Sequence, residues 1–428
     1  MRRRFLVSVA AVDLTTLALG TMVASLLVFG HLVPWVGAGV RIVPLLIVLL
    51  GGALTMSVVT VRASGHGVPR PTFGRLLLIV VGTFMIFALA LVILREENLY
   101  FSRAHLGITF IVWIVLSGLH RLLRQRRPWT ENLAVISSEK ILADDLAESD
   151  HVEVVRVVDP AEEGDIAPLP RGTTIAYDMR SVVSRKVAQF VTSSDIAGYT
   201  VRPLTAVYEE HLGRIPVLHL SEGWEIANPV ARHEVWLPPK RFIETLMVVV
   251  TAPLWLLVGA VACLLVLVSD GRPVFFNQER VGKEGRVFTM TKLRTMRRDA
   301  EVDGARFAVS RDDRLIRFGT FLRRSRIDEI PQLVHVVTGE MSLVGPRAEQ
   351  VPFVKKFSDT IPFYDLRHLI RPGITGWSQV MFGYADGEVD TMEKLTYDLY
   401  YLKHMSPVLD LRILWLSIWT VLTGSGAR

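Results

Sequence analysis

Four long apolar runs fill the first 124 residues and limit what this chain can fold into. They cover roughly residues 5–29, 40–61, 75–94 and 104–123. Each is close to the ~20 residues that an apolar helix needs to cross the core of a bilayer. The first run is also too long for the core of a cleaved signal peptide. The pattern therefore predicts a membrane domain of four transmembrane helices at residues 1–127, and it disfavours four buried helices of a soluble bundle.

Lys and Arg are unevenly divided among the segments that join these runs. Short cytoplasmic loops carry an excess of both residues. The basic residues concentrate before the first run, between the second and third, and at the end of the fourth and beyond it: Arg2, Arg3, Arg4, Arg62, Arg70, Arg75, Arg121, Arg124, Arg126 and Arg127. We therefore expect the N-terminus and everything after residue 124 to be cytoplasmic, with the helices in the inner (plasma) membrane.

Residues 128–236 have the composition of a soluble domain. "NLAVISS" and "HVEVVRVVD" resemble strands, and "EKILADDLAES" between them resembles a helix, so the three predict a βαβ unit. "TTIAYD" and "AGYTVRPL" add two predicted strands. We expect a Rossmann-like α/β domain. Its first turn has no glycine, although glycines let such a turn approach a dinucleotide closely, so we expect no bound nucleotide and no dinucleotide-dependent oxidoreductase.

Residues 242–268 form a fifth apolar run with Pro253 near its middle. A straight helix of this length would measure about 40 Å at ~1.5 Å per residue, which exceeds the ~30 Å core of a bilayer. Lys240 and Arg241 precede the run and Arg272 follows it, so both flanks are basic. Proline removes a backbone hydrogen bond and kinks a helix. We therefore expect a re-entrant helix that dips into the membrane and returns, rather than a helix that spans it.

Two adjacent acids, Asp328 and Glu329, stand in the basic segment "RRSRIDEIPQL". The segment reads as the start of a helix, where Pro331 is tolerated and the free amides favour negative charge. Acids in a first helical turn are usually ordinary dipole-compensating residues. Neighbouring arginines should lower the pKa of both carboxyl groups, so we expect Asp328 to be ionised.

Basic side chains are scattered through the same part of the sequence. A diphosphate needs arginines that converge in the fold, because the guanidinium fork pairs with two phosphate oxygens. Taken singly, each basic residue would be a solvated surface group. The candidates for phosphate binding are Arg280, Lys292, Arg294, Arg347 and Arg371.

Five motifs carry a family resemblance: "PVFFNQERVG", "KLRTM", "RIDEIPQL", "GEMSLVGPR" and "RPGITGW", in that order. On these motifs, residues 237–428 resemble the catalytic domain of the monotopic polyprenol-phosphate phosphoglycosyl transferases, the bacterial sugar transferase family. The four N-terminal helices and the Rossmann-like domain resemble the long members that initiate exopolysaccharide synthesis. Where the family has a Ser-Pro pair in its re-entrant helix, this chain has Ala252 and Pro253, so we expect the Thr251 hydroxyl to replace that of the serine.

The resemblance implies a two-step transfer on the Asp-Glu pair. Asp328 would attack the β-phosphorus of a UDP-sugar and release UMP, and a polyprenyl phosphate would then take the phosphosugar. Splitting one difficult displacement into two is the advantage of covalent catalysis. Glu329 would hold Mg²⁺, which prefers oxygen ligands. Arg347 and Arg371 are the preferred phosphate binders, ahead of Lys292 and Arg280.

The implied partners are a UDP-sugar, undecaprenyl phosphate and the membrane, with no nucleic acid, and a homodimer is left open. Glucose or galactose is the expected sugar, and an N-acetylated hexosamine is the alternative. A non-catalytic scaffold or nucleotide sensor of a polysaccharide assembly complex is a second interpretation, against which the Asp-Glu pair argues. The single cysteine, Cys263, excludes an internal disulfide and a zinc site built from cysteines. The C-terminal apolar segment is short for a span and fits an interfacial helix better.

Overall fold

The computed structural model describes residues 2–63, 73–94, 102–125, 130–149, 151–217, 235–297, 315–382 and 388–423. The chain divides into two compact units, Met1–Gly213 and Arg214–Arg428. Residues 64–72, 95–100 and 126–129, which carry part of the charge bias behind the predicted orientation, lie outside the described residues.

Helices occupy all four of the predicted N-terminal apolar runs. Their bounds are Arg2–Phe29, Val43–Ala63, Phe73–Leu94 and Arg103–Gln125, with two short unpredicted helices at Pro34–Gly37 and Val40–Ile42. Among the described residues, the segments long and apolar enough to cross a membrane are Val7–Gly37, Val40–Val58, Arg103–Leu123 and Ala252–Asp270. In the long helix Phe73–Leu94, the apolar stretch among the described residues is the shorter Ile79–Leu91.

A buried ion pair joins the first and last of these N-terminal helices. The two oxygens of Asp13 accept hydrogen bonds from the two terminal nitrogens of Arg121 at 2.6 and 2.7 Å. Each side chain is only 1% exposed. The Trp113 indole N–H donates to the Asp13 carbonyl at 2.8 Å, and the hydroxyls of Thr16 and Ser117 lie 2.7 Å apart. These polar contacts fix the register of the two helices, since apolar packing alone tolerates sliding.

Arg121→Met should destabilise the N-terminal helices strongly. It leaves the Asp13 carboxylate buried without its partner, which typically costs about 3–5 kcal/mol. Unfolding of the purified chain in mild detergent, followed by circular dichroism against denaturant, measures the loss. The double variant Asp13→Leu, Arg121→Leu removes both charges and should recover most of the stability. Equal stability of Arg121→Met and the unaltered chain would contradict a structural role for the pair.

The second part of the first unit is a parallel sheet. Its strands are β1 (Glu131–Ile136), β2 (Val152–Val158), β3 (Thr174–Tyr177) and β4 (Thr200–Pro203), in the order β2-β1-β3-β4 with every pair parallel. The helices are Lys140–Ala147, Arg185–Ile196 and Leu204–Leu212. The predicted βαβ unit and the two further strands are therefore confirmed. Strand β1 is continuously apolar from Leu133 because both faces are covered, as is usual for a central parallel strand.

The second unit contains the broken apolar helix and short α/β elements. Two strand pairs, β5 (Phe275–Val281) with β6 (Val287–Leu293) and β7 (Ser342–Val344) with β8 (Gly373–Thr375), are antiparallel and parallel respectively. The α-helices are Leu237–Val250, Ala252–Asp270, Gly319–Arg324, Leu333–Thr338, Val351–Thr360, Trp377–Met381, Glu388–His404 and Pro407–Thr423. Turns of 3₁₀-helix lie at Lys283–Gly285, Ile327–Gln332 and Tyr364–Leu369. Strands β5 and β6 form a hairpin that turns through Lys283–Gly285.

The fifth apolar run is broken into two limbs, as its proline predicted. The first limb, Leu237–Val250, ends at Thr251, and the second limb, Ala252–Asp270, begins with Pro253 in its first turn. The Thr251 hydroxyl donates to the Met247 carbonyl at 2.7 Å. The Trp255 indole donates to the Val248 carbonyl at 2.9 Å. The Thr251 hydroxyl thus bonds within the last turn of the first limb, and its role in place of the serine stays a prediction. Trp255 is a second donor at the break that the sequence analysis missed.

Candidate active site

The Asp-Glu pair lies at the start of a 3₁₀-helix whose entry is sharply bent. Arg326 adopts the left-handed conformation, with φ 57° and ψ 16°, immediately before the helix Ile327–Gln332. Non-glycine residues rarely adopt this conformation, and they concentrate at functional sites. The prediction that the two acids fall in a first helical turn is confirmed. The turn is 3₁₀ rather than α, because Pro331 lacks the N–H that an α-helix would aim at the Ile327 carbonyl.

Glu329 is surrounded by three cations. Its Oε1 lies 3.4 Å from Lys292 Nζ, 3.4 Å from Arg326 Nη1 and 3.5 Å from Arg347 Nη2. Burial raises the pKa of Glu329, but the charges of Lys292, Arg347 and Arg326 outweigh burial and bring the pKa to about 2. Glu329 is therefore ionised throughout the physiological range.

Asp328 is buried beside this cluster and behaves differently. Burial, and then the negative charge of Glu329, raise its pKa to about 6 against the opposing charges of Lys292, Arg326 and Arg323. The prediction that neighbouring arginines lower the pKa is thus correct for Glu329 and wrong for Asp328. A group with a pKa of about 6 is roughly 90% ionised at pH 7, so the expected anionic form of Asp328 still prevails. The pair divides into one permanent anion and one carboxylate that gains and loses a proton near neutrality.

Lys292 connects the β5–β6 hairpin to the pair. It lies on β6 opposite Phe276, and its neighbour Leu293 is buried with Leu322. Burial lowers the pKa of Lys292 to about 8, although the charge of Glu329 opposes the shift. Lys292 is therefore mostly protonated at pH 7.

Of the five predicted phosphate binders, the structure brings Lys292 and Arg347 to the Asp-Glu pair. Arg280 lies nearby, but its guanidinium donates to the Ala348 carbonyl at 3.1 Å and to Gln278 Oε1 at 2.6 Å. Arg294 is elsewhere, donating through Nη2 to the carbonyls of Asp270 and Gly271 at the end of the second limb, at 3.0 and 2.9 Å.

Arg371 also lies away from the pair, with its Nε donating to the Gly339 carbonyl at 2.8 Å. The phosphate-binding roles of all five residues stay predictions. Arg280, Arg294 and Arg371 instead donate to backbone carbonyls, which guanidinium groups bind as readily as they bind phosphate.

Sequence reasoning missed three charged groups at the site. Arg326, the third cation on Glu329, stands inside the quoted motif "RIDEIPQL", two residues before Asp328. Behind Arg347, the buried Arg367 donates to the Arg347 carbonyl at 3.1 Å and pairs with Asp398 at 2.9 Å. The closeness of Arg326 to Asp328 in the sequence could have indicated its place at the site. Nothing in the sequence indicates that Arg367 pairs with Asp398.

The residues at the pair fit a magnesium ion that arrives with a phosphate substrate. The described residues contain no cluster of three or more His, Cys, Asp or Glu side chains. Mg²⁺ often takes only one or two carboxylates and completes its shell with substrate phosphates and water. The cations around Glu329 Oε1 stand beyond the ~2.7–2.9 Å of a strong charge-assisted bond, so this carboxylate retains capacity for another ligand. Because three cations face two carboxylates, we expect a divalent cation to bind there only with an anionic substrate.

Comparison with known proteins places these features in context. The family model described as "Bacterial sugar transferase" matches residues 236–424. The UDP-N-acetylgalactosamine-undecaprenyl-phosphate N-acetylgalactosaminephosphotransferase of Aeromonas hydrophila is 42% identical over 288 residues, which cover 62% of this chain and 67% of that protein.

Two further relatives match shorter parts of the chain. The UDP-glucose:undecaprenyl-phosphate glucose-1-phosphate transferase of Xanthomonas campestris pv. campestris is 39% identical over 217 residues, or 50% of this chain and 44% of that enzyme. The exopolysaccharide production protein PSS of Rhizobium leguminosarum bv. phaseoli is 38% identical over 169 residues, or 38% of this chain and 84% of that protein. The chain thus spans less than half of the Xanthomonas enzyme.

Proposed function

Since the chain belongs to the bacterial sugar transferase family, we propose that it transfers a sugar 1-phosphate from a UDP-sugar to undecaprenyl phosphate. The relatives named above for this activity support the reaction class. The observation that carries the proposal is the Asp-Glu pair, in which an ionisable Asp328 adjoins a Glu329 ringed by Lys292, Arg326 and Arg347. A scaffold without catalysis has no need for buried carboxylates among converging cations.

The reaction proceeds in two displacements at one phosphorus. An Asp328 oxygen attacks the β-phosphorus of the UDP-sugar, the bond to the bridging oxygen breaks, and UMP leaves. An oxygen of undecaprenyl phosphate then attacks the aspartyl phosphosugar, so that Asp328 departs as a carboxylate and a polyprenyl diphosphosugar forms. Lys292 and Arg347 lie where they can neutralise the phosphate oxygens, and phosphoryl transfer depends chiefly on such neutralisation and on positioning. Bound Mg²⁺, held by Glu329, would supply further positive charge.

The sugar is an open choice between two classes. One relative is named for N-acetylgalactosamine and another for glucose. Both an unmodified hexose and an N-acetylated hexosamine therefore stay candidates for the sugar. The segment "GWSQVMFGYADGEVD" is a candidate for setting the choice of sugar, and its residues 383–387 lie outside the described residues. UMP release across a panel of UDP-sugars, with undecaprenyl phosphate present, decides the matter. No release with any of them would contradict the proposed function.

We also propose that the two limbs form a re-entrant hairpin whose ends both lie on the cytoplasmic face of the inner membrane. Both limbs pack on the same catalytic unit, which supports this. Val248 of the first limb is buried with Met290 and Val336, whereas Ala262 and Val266 of the second limb are buried with a different cluster around Leu293. Apolar side chains on the other sides stay exposed, including Phe242, Val250, Leu254, Leu257 and Val268, as expected of a surface covered by lipid.

Pro253→Leu should lower activity without altering any substrate contact. The leucine restores a backbone donor and removes the ring clash, a change of roughly 3 kcal/mol in favour of a straight helix. The hydrogen bonds from Thr251 and Trp255 hold the bend as well, so the triple variant Pro253→Leu, Thr251→Val, Trp255→Phe should lose more. Pro352→Leu, an exposed proline in the first turn of another helix, is the matched control. Full activity of the triple variant would contradict the importance of the bend.

Labelling of introduced cysteines tests the topology directly. Pro238→Cys and Arg272→Cys, each with Cys263→Ser, place single thiols at exposed positions before and after the two limbs. Both should resist an impermeant thiol reagent in intact spheroplasts and react once the membrane is opened. Labelling of position 272 alone from outside would mean that the run spans the bilayer.

We further propose that the parallel sheet is Rossmann-like, which its strand order β2-β1-β3-β4 supports. The topological switch point lies between β1 and β3, because β2 follows on one side of β1 and β3 and β4 on the other. Ligands of such folds bind at this point. In this crevice, Asp178 accepts hydrogen bonds from Ser137 and Arg180. The expectation that this domain binds no nucleotide stays a prediction. A homodimer also stays a prediction, which sedimentation in detergent can test.

A further inference from the structure

A second basic pocket lies in the catalytic unit beside the start of the first limb. Arg241, Lys283 and Arg371 contribute positive charge to its lining, and Leu237, Val336 and Leu369 contribute apolar surface. Gly339, against which the two arginines pack, stands ten residues after Glu329. The lining contains neither Asp328 nor Glu329, and none of Lys292, Arg326 and Arg347, the three cations around Glu329. The pocket is therefore distinct from the site of sugar-phosphate transfer.

Two guanidinium groups meet in this pocket around Gly339. Arg371 Nε donates to the Gly339 carbonyl at 2.8 Å, and a side chain at Gly339 would collide with the Arg241 guanidinium. Gly339 itself has a φ of 89°, which favours glycine. Within the described part of the chain, neither arginine has a carboxylate at ion-pair distance. Burial and then the charge of Arg241 lower the pKa of Arg371, which reflects two like charges held close together.

The acid in the pocket lining, Glu244, makes its hydrogen bonds and its ion pair with groups other than these arginines. Glu244 Oε2 accepts from the Ser342 hydroxyl at 2.6 Å, and its Oε1 accepts from the Val344 N–H at 3.2 Å. Lys240 Nζ lies 3.1 Å from the same Oε1. Both oxygens of Glu244 are therefore engaged, and it shares Lys240 with Asp410, whose Oδ2 lies 2.8 Å from the same Nζ. Lys283 pairs with Glu284 at 3.0 Å. Glu244 and Glu284 therefore act on the Arg371 guanidinium only from a distance, where their charges raise its pKa against burial and Arg241.

An ordinary structural role explains part of this arrangement. The helix Leu333–Thr338 ends at Gly339, and cations near a helix C-terminus are stabilising. The Arg371–Gly339 bond serves that role. A second guanidinium at the same glycine adds repulsion without adding a hydrogen bond to the helix end. Arginines that converge on one point without a carboxylate at ion-pair distance are suited to a phosphate, which accepts from several donors at once.

The surroundings suit an amphiphile rather than a free anion. The first limb carries exposed apolar side chains directly after Arg241, among them Phe242 and Leu246. Leu369 in the pocket lining is 42% exposed. An apolar surface that begins at a pair of arginines matches a lipid whose charged head is followed by a hydrocarbon chain. Basic pockets beside membrane helices bind lipid headgroups in the same way.

We propose that Arg241 and Arg371 bind the phosphate group of a membrane lipid whose hydrocarbon chain lies along the first limb. The lipid is either a phospholipid of the bilayer or the polyprenyl phosphate acceptor before it reaches Asp328. Only the second source rests on the proposed function. In both cases the pocket holds the catalytic unit at the level of the headgroups, where the acceptor phosphate also lies.

Native mass spectrometry and fluorescence competition on the full chain in mild detergent test the proposal. The probes are undecaprenyl phosphate, dioleoyl phosphatidylglycerol, undecaprenol without phosphate, and inorganic phosphate. The unaltered chain should bind the two phosphate lipids at least tenfold more tightly than undecaprenol. Arg241→Gln and Arg371→Gln should each weaken this binding about tenfold, the loss expected for one charge-assisted contact. Lys355→Gln, an exposed charge on the helix Val351–Thr360, is the control and should bind as the unaltered chain does.

The pattern of binding identifies the source of the phosphate. Equal affinity for both phosphate lipids supports a phospholipid site. Preference for undecaprenyl phosphate, with a KM for that acceptor raised about tenfold in Arg241→Gln, supports a site for the acceptor. Arg241→Lys and Arg371→Lys keep the charge but lose the fork, so they should weaken binding by a smaller factor. They replace the glutamine variants as the test if the glutamine variants fold poorly.

Two outcomes would overturn the proposal. One is binding of phosphate lipids by the double glutamine variant with unchanged affinity. The other is displacement of the lipids by inorganic phosphate with no preference for a hydrocarbon chain. Failure of the proposed function would look different, because the unaltered chain would then form no adduct on Asp328 whatever lipid it binds.

Discussion

Asp328→Asn will abolish sugar-phosphate transfer and will leave no covalent adduct. The amide has nearly the shape of the carboxyl group but is a poor nucleophile, and loss of a catalytic nucleophile costs on the order of 10⁴-fold or more. The unaltered enzyme, incubated with UDP-sugar alone, should carry a hexose phosphate on the peptide that contains Asp328, and mass spectrometry locates it. The variant should remain folded, because the raised pKa of Asp328 means that a neutral group at this position is easier to bury than the anion.

Asp359→Asn is the matched control for this variant. Asp359 is exposed on the helix Val351–Thr360 in the same unit, so the same chemical change there should leave adduct formation intact. An adduct found on any residue other than Asp328 in the unaltered enzyme would show that the assigned nucleophile is wrong.

Glu329→Gln will slow adduct formation by about 10²-fold or more, since it removes the anion that organises Lys292, Arg326 and Arg347 and that would hold Mg²⁺.

Glu329→Gln will also change the pH dependence of adduct formation. Adduct formation requires ionised Asp328, so the rate should rise with pH through about 6 and level off above it. The charge of Glu329 raises the pKa of Asp328. The midpoint in Glu329→Gln should therefore move to lower pH.

Single-turnover rates between pH 4.5 and pH 8 (roughly 1.5 to 2 pH units on either side of the midpoint) measure this shift. Glu279→Gln, an exposed acid on the neighbouring strand β5, is the control and should keep the midpoint of the unaltered enzyme. A midpoint that stays in place or rises in Glu329→Gln would contradict the coupling between the two carboxyl groups. A titration with Mg²⁺ should also be shallower in this variant, and full activity of the unaltered enzyme in excess EDTA would exclude the metal.

The sequence predicted the elements of this fold better than the partners of its charged side chains. Apolar run length and strand alternation are local properties, so the helices at the four N-terminal runs, the strands β1 to β4 and the break near Pro253 could all be predicted. The sign of the pKa shift at Asp328 could not, because it depends on burial, which is a tertiary property. Nearby arginines in the sequence suggested a lowered value, but in the fold burial and Glu329 outweigh them.

The same limit applies to the basic residues. Any of the five predicted phosphate binders could have reached the Asp-Glu pair, since an arginine side chain extends far from its backbone. Arg347 does so because Arg367 anchors its carbonyl. Arg294 instead closes the end of the second limb, and Arg371 joins Arg241 in another pocket. Composition counts cations, but only the packing of distant segments decides which of them converge.

The Asp13–Arg121 pair has a consequence for the order in which the chain enters the membrane. An aspartate near the middle of a lone inserted helix costs about 2.5–3.5 kcal/mol, and the arginine that compensates it lies 108 residues later in the chain. During synthesis the first helix must therefore wait, incompletely stabilised, until the fourth long helix has emerged from the ribosome. A nascent chain that stops before residue 103 lacks that partner and should be retained poorly in the bilayer, so membrane insertion of this protein is completed by its fourth long helix.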